Sequence, residues 1–382
     1  MSVHGVRTIA VLELRQRVRT SRWPVVIGIW FLVIGAVAGL TWWAVSSQPG
    51  DPATTLSTDR GTTLYDVVLF FVLGLGMLVV PSLTATSING DREHGVLATL
   101  QTTMLTSADI VIGKLVAAWA ISVAFLFAAS PFLVWAWIAG GVEVGRMLLA
   151  VAVLVFVLAM VCALGLMFST LTARTISSAV LTYLTVAALT FGTVIAFLIS
   201  IPILSTQQNV RVKTVPETWY QEHQPTTPAD KMSAVEPTAA DCVFVIREQT
   251  ILHTERAWWL LALNPFVVVA DAAPSRKPVT FLGFEPLQLI SDGARTARMG
   301  TKTPDSLNEC WPELQPNPLA NDGFQQQNQQ QQQLERDRLN KVHAVWPYGF
   351  VFLGLVGAAS TWVAVRRLRT PIRKLPRGTR IA

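Results

Sequence analysis

Charge is scarce in this sequence. Asp, Glu, Lys and Arg together make up 14% of its 382 residues, against about 25% in an ordinary soluble chain. The shortage is concentrated: residues 115–138 and 147–168 contain none of the four. A soluble fold has little use for charge-free runs longer than about 18 residues, whereas a membrane crossing requires them. Catalytic signatures are missing as well. No G-x-x-x-x-G-K-[ST] occurs, and Gly113-Lys114-Leu115 lacks both the upstream glycine and the hydroxyl residue that a phosphate cradle needs. There is no G-x-S-x-G, H-E-x-x-H or C-x-x-C. His4, His94, His223, His253 and His343 are scattered along the chain, so a shared metal site is not expected. The chain is therefore expected to carry no catalytic residues, no metal and no cofactor of its own.

What is present is a set of six apolar segments: residues 25–45, 64–83, 115–138, 147–168, 176–204 and 347–365. Each suffices to cross a hydrocarbon core, which takes about 20 residues at the helical rise. Lipid offers no hydrogen-bond partner to the backbone, so these segments must be helices. The expected fold class is all-α, a polytopic membrane protein with six transmembrane helices. The first segment is too long for a signal-peptide core, which spans about 7–15 residues.

The net charge of +6 comes from basic residues beside apolar segments at the two ends. Arg7, Arg15, Arg17, Arg19 and Arg22 precede the first span, and Arg366, Arg367, Arg369, Arg373, Lys374, Arg377 and Arg380 follow the last. That placement is a topology signal, not a nucleic-acid footprint, and it puts both termini in the cytoplasm of a multi-pass cell-membrane protein. Trp42, Trp43, Trp135, Trp137 and Trp346 then fall at the outer interface, with Trp23 and Trp362 near the inner one.

Three regions follow: 1–204 with the first five spans, 205–343 as an extracytoplasmic insertion, and 344–382 with the sixth span and a basic tail. The insertion is mildly acidic and rich in Pro, Thr, Asp, Glu and Gln. Residues 325–333 are glutamine broken only by Asn328, which reads as a solvated linker. Cys242 and Cys310 lie in this external stretch, where a bridge is permitted; two free thiols fit the residues equally well. Cys162 sits within the fourth span and reads as a small apolar residue. Residues 257–272, AWWLLALNPFVVVADA, are too short to span and are broken at Asn264-Pro265. They predict a re-entrant or interfacial hairpin with Asn264, Pro265 and Phe266 at its bend, a candidate external gate. In the fifth span Ser178, Thr182, Thr185, Gly192 and Thr193 form a stripe of small or hydroxylated residues, suited to helix contact or to lining a path.

The link between the second and third spans is the most informative segment. A charged cluster, Asp91-Arg92-Glu93-His94-Gly95, is followed by Val96, Leu97 and Leu100 at helical spacing, which predicts a short amphipathic helix over part of 89–107. Thr106-Ser107-Ala108-Asp109 predicts a capping box opening the third span. By themselves these residues fit an ordinary solvated loop as well.

This segment resembles the permease subunit of ABC-2 type transporters, in which a charged cluster, a glycine, a short apolar helix and a later Gly-Lys join the second and third spans. Asp91, Arg92, Glu93, Gly95, Leu97, Leu100, Gly113 and Lys114 match; Val96 and Met104 stand where the family usually has Thr and often has Pro. Leu263-Asn264-Pro265-Phe266 looks like the family's external hairpin. The start, with Val11, Leu14 and Val18 on one face and Arg15, Arg17 and Arg19 opposite, looks like its interfacial elbow helix.

The resemblance implies an exporter subunit that is not itself an enzyme. Its partners would be a cytoplasmic ABC ATPase that binds ATP and Mg, a second permease subunit and membrane lipids. Asp91, Arg92, Glu93, Gly95, Leu97, Leu100 and Lys114 would couple it to the ATPase. The alternative class is a non-transporting anchor, sensor or assembly protein that displays the insertion.

Overall fold

The computed structural model describes residues 2–19, 22–47, 56–93, 105–223, 237–272, 285–300, 306–310, 334, 337–339 and 341–369. Among the described residues six helices are long and apolar enough to cross a membrane: Trp23–Ser46, Arg60–Glu93, Ser107–Ile138, Val144–Leu171, Thr175–Leu204 and Trp346–Leu368, referred to as spans 1 to 6. A separate N-terminal helix, Val3–Val18, precedes span 1. The chain is a multi-pass, all-α membrane protein in its spanning part.

Several spans outrun the apolar segments that announce them, because caps and polar turns extend a helix beyond its lipid-facing stretch. Span 3 begins at Ser107, where Thr106 Oγ1 accepts from Asp109 N and Asp109 returns a bond to the Thr106 backbone. Span 2 continues past Pro81, through a break at Ala85-Thr86, into Ser87–Glu93.

The chain divides into two compact units. The first holds residues 1–196, 259–295 and 344–382. Its core is built by spans 2, 3, 4 and 6, with Leu64, Val68, Leu73, Ile121, Leu154 and Leu353 fully buried. Spans 2, 3 and 4 bury more than half of their apolar windows, whereas spans 1, 5 and 6 bury about a fifth. Lipid is as apolar as leucine, so close packing and interhelical hydrogen bonds hold such helices together. One such bond runs from Trp119 Nε1 to the Val155 carbonyl, at 3.0 Å.

The second unit, residues 197–258 and 296–343, contains a three-stranded sheet of order β2-β1-β3. Strand β1 (Thr206–Thr214) pairs antiparallel with β2 (Val243–Ile251) and parallel with β3 (Ser306–Asn308). Val210 and Val212 alternate inward on β1. Thr214 faces Val243, and Lys213 faces Asn308. The neighbouring Cys242 and Cys310 therefore meet across the end of β1, and they are joined as a disulfide. Beside the bridge, the backbone N–H and then the hydroxyl of Thr238 donate to Asp241, holding its carboxyl below the usual carboxylate range. The sequence reading assigned no strand here. The Gln-rich linker at 325–333 lies outside the described residues.

Candidate functional site

Two clusters of polar side chains stand at opposite ends of span 2, both within the first unit. The first lies at the end that carries the N-terminal helix. Lys114, in the second turn of span 3, is 2% exposed. Its Nζ lies 2.7 Å from Asp91 Oδ2 and 3.1 Å from Glu13 Oε2. It also donates to the hydroxyl and carbonyl oxygens of Ser87, at 3.3 and 3.4 Å. Glu13 accepts a second bond from Arg17, whose other contact is the Leu83 carbonyl at 3.0 Å. The series Arg17–Glu13–Lys114–Asp91 alternates in sign and ties together the N-terminal helix, the end of span 2 and the start of span 3. The partners are close enough because residue 113 is glycine: a Cβ there would stand 2.7 Å from Ile9 Cβ.

Two further locks surround this network. Ser2 N donates to Asp109 Oδ1 at 2.8 Å, fixing the start of the N-terminal helix on the cap of span 3. Ser169 Oγ of span 4 accepts from the backbone N–H groups of Ile88 and Asn89. Asn89 Nδ2 donates to Thr172 Oγ1 at 3.0 Å. The structure thus places Asp91 and Lys114 inward, on each other, while Arg92 and Glu93 are exposed at the tip of span 2. Gly95, Leu97 and Leu100 lie outside the described residues. The N-terminal helix packs on the protein through Gly5, Ile9 and Ala10, while Val11 and Val18 are exposed and Leu14 is half-buried. Glu13 was not singled out from the sequence, although it is the sole acidic residue among the first 50. An isolated acid within a basic helix is a signal of an internal partner.

The second cluster surrounds the two short helices on either side of Leu263-Asn264, where the sequence predicts a hairpin. These two arms are Trp258–Ala262 and Pro265–Ala272. Proline suits the first position of a helix, where its missing N–H costs nothing. Asn264 caps that arm: its Oδ1 accepts from Phe266 N at 2.9 Å. Its Nδ2 reaches span 5, donating to the Thr190 carbonyl at 2.6 Å and to Thr193 Oγ1 at 3.1 Å. Span 5 is not a uniform α-helix at this point, because Ala188–Gly192 forms a π-helical turn. Such turns widen the backbone and recur at functional sites. Here the Asn264 amide donates to a carbonyl within the widened turn.

These two short helices are also held from two other sides. The Phe266 ring packs on Phe70 of span 2, with centroids 5.4 Å apart. Span 6 approaches so closely at Gly349 that a Cβ would meet the Ala262 carbonyl oxygen at 2.1 Å. Asp271, at the end of the second arm, is fully buried. It accepts from Ser291 Oγ, Arg295 Nε and the backbone N–H groups of Val345 and Trp346, joining the arm to helix Pro286–Met299 and to the start of span 6. Asp66 of span 2 accepts from Leu287 N at 2.8 Å and Gln288 N at 3.2 Å, and Thr63 donates to Glu285 at 3.0 Å.

Of the span 5 stripe, Thr193 meets Asn264 directly and Gly192 belongs to the widened turn. Ser178 and Thr182 are buried further along, and Thr185 is half-buried. Thr182 and Thr185 donate to carbonyls of their own helix, four residues back. Cys242 and Cys310 belong to the other unit. Among the described residues no group of three or more His, Cys, Asp or Glu side chains could hold a metal ion.

Replacing Asn264 by leucine is expected to cost about 1–3 kcal/mol, because a buried carbonyl loses its donor. Denaturant unfolding in mixed micelles would read the loss, and amide exchange across 188–193 should quicken. Unchanged exchange and an unchanged midpoint would show that the Asn264 contact holds nothing in place.

Six helices long and apolar enough to span, braced by polar networks at both ends of span 2, make this a multi-pass integral membrane protein. The sequence profile of the ABC-2 family transporter proteins matches residues 7–270, more than half of the chain. The chain belongs to that family and is a membrane permease of an ABC-type transporter. The matched region includes Glu13, Asp91, Lys114 and the Asn264 bend; it stops short of helix Pro286–Met299 and span 6. No curated protein matches the chain.

Proposed function

We propose that the chain is the membrane-spanning subunit of an ABC-2 type exporter. Two permease chains face each other, and a separate cytoplasmic ATPase, which holds ATP and Mg, drives them through residues 89–107. Both termini are cytoplasmic, since the basic N-terminal helix and Arg366 and Arg367 at the end of span 6 lie at the same end of the bundle, where Ile9 and Leu368 share one apolar cluster. One observation carries this reading. Arg92 and Glu93 are exposed on a helix tip whose root is locked to span 3 through Asp91–Lys114 and to span 4 through Ser169. A displacement imposed on that tip is passed to three spans at once. The chain has no phosphate-binding loop, so the force for export comes from a partner.

The direct test is Leu97→Ala combined with Leu100→Ala. Apolar anchors at an interface typically cost about 2 kcal/mol or more when truncated. The pair should abolish capture of the ATPase or its coupled turnover while membrane insertion stays intact. Glu93→Ala should have a smaller, salt-sensitive effect. Full capture together with full transport in the double variant would remove the coupling role from this segment.

Orientation has its own check. A membrane-impermeant maleimide applied to intact cells should label neither Cys242 nor Cys310 until the bridge is reduced, and should label both afterwards. Labelling that requires permeabilised cells would reverse the orientation.

A further inference from the structure

The N-terminal helix has two unlike faces. One is spent on the protein: Gly5, Ile9 and Ala10 are buried, Glu13 is paired with Lys114, and Arg17 is paired with Glu13 and the Leu83 carbonyl. The other is lined by a groove of about 540 Å³ that runs along the helix. Among the described residues its walls include His4, Arg7, Val11, Leu12, Arg15 and Arg19. The three arginines are exposed, and Val11 and Leu12 are 38% and 46% exposed between them. The helix contains one acid, Glu13, and that acid is turned inward. The open face is therefore of a single sign and partly apolar.

We propose that this face binds the headgroups of anionic phospholipids. Position on the chain argues for lipid: the helix ends at Val18 and span 1 opens at Trp23, so its end must lie close to the membrane boundary. Chemistry argues for phosphate. A guanidinium donates two parallel hydrogen bonds to a phosphodiester, and its aliphatic stem can lie on apolar surface while the head reaches the phosphate. At the helical rise Arg7 and Arg15 stand about 12 Å apart and Arg15 and Arg19 about 6 Å, so the row meets successive headgroups of one leaflet. Val11 and Leu12 would enter the acyl boundary between them, as in helices that lie in an interface. The inference does not depend on an ATPase partner; only the naming of the leaflet as cytoplasmic depends on the proposed orientation.

The test uses the full chain reconstituted in phosphatidylcholine vesicles with and without phosphatidylglycerol. Headgroup-photoactivatable analogues of both lipids are cross-linked to the wild-type protein, and the adducts are mapped. Residues 7–19 should carry the phosphatidylglycerol adduct in preference to the phosphatidylcholine adduct, by about fivefold or more at low salt, and the preference should shrink as salt rises. The variant Arg7→Gln/Arg15→Gln/Arg19→Gln should lose the preference, and the triple Arg→Lys variant should keep most of it. Equal labelling by the two lipids in the wild-type protein overturns the proposal without any variant being needed. So does a glutamine variant that keeps its lipid preference, including one that instead fails to capture the ATPase, which would make the face a protein-docking surface.

Discussion

Lys114→Met is expected to destabilise the folded protein by about 3–5 kcal/mol, the range for breaking a buried ion pair from one side. The size follows from what stays behind. Asp91 and Glu13 would lose the cation they share, in a site where their side chains are 24% and 13% exposed. Ser87 would lose a donor as well. Methionine keeps the length and apolar stem of lysine, so little of the loss is a packing defect. Unfolding of the purified protein in mixed micelles reads the effect. The triple variant Glu13→Gln/Asp91→Asn/Lys114→Met should recover much of it, since it removes both carboxylates together with their cation and leaves Arg17 on the Leu83 carbonyl. A single-variant loss below about 1 kcal/mol would mean that water reaches these groups and that the lock is loose. The same variant also probes the proposed function: without the lock, the tip bearing Arg92 and Glu93 is no longer tied to span 3.

Asp271→Ala is expected to cost a similar amount, about 3–5 kcal/mol. Its carboxylate is fully buried and stands between Arg295, which is 9% exposed, and the first N–H groups of span 6. Alanine leaves a buried guanidinium with its carboxylate partner removed and takes the acceptor from the end of a helix whose early N–H groups have no intrahelical partner. Asp271→Asn should cost less, since the amide oxygen still accepts from Val345 and Trp346. Adding Arg295→Leu to Asp271→Ala should return part of the stability. Protease cleavage near residue 344 gives a second readout, because span 6 loses its fixed start. If Asp271→Ala unfolds at the wild-type midpoint and resists protease equally, Arg295 is satisfied elsewhere and Asp271 does not organise this end.

The spans were legible because the apolar run is what lipid demands, and hydropathy registers it directly. Their true ends were less so: span 3 gains a polar first stretch from the Thr106–Asp109 cap, and span 2 passes a break before reaching Glu93. The Asn264 bend was readable from the Asn-Pro pair and the shortness of its arms. Its partner was not, because the donor reaches Thr190, 74 residues away, on a backbone widened by a π turn that no local pattern marks. Glu13–Lys114 and Asp66–Leu287 are likewise separated by 101 and 221 residues, so only the topology brings them together. The protein-facing side of the N-terminal helix was not legible for a different reason: it is marked by Gly5 and Ala10, which carry little hydropathy signal. In lipid-embedded and interfacial helices glycine and alanine make the closest contacts, whereas Val11 and Val18 stay exposed. The sheet of the second unit was hidden because its inward positions on β1 are only Val210 and Val212 in a polar run.

The wide turn in span 5 also sets the phase of everything after it. The buried positions along this span are Ser178, Thr182, Val186, Thr190, Thr193 and Phe197. At 3.6 residues per turn, an unbroken helix would carry Phe197 about 100° around the axis from Ser178. A π turn absorbs one extra residue and cancels that drift, so one continuous seam runs the length of the span. The sequence of span 5 is therefore written in two frames, offset by a single residue, and residues 188–192 are the join. Removing one residue there would regularise the helix and keep both frames in phase, whereas straightening the turn with every residue retained would rotate the second frame by about 100°, leaving Ser178 and Thr182 inside and carrying Thr193 away from Asn264.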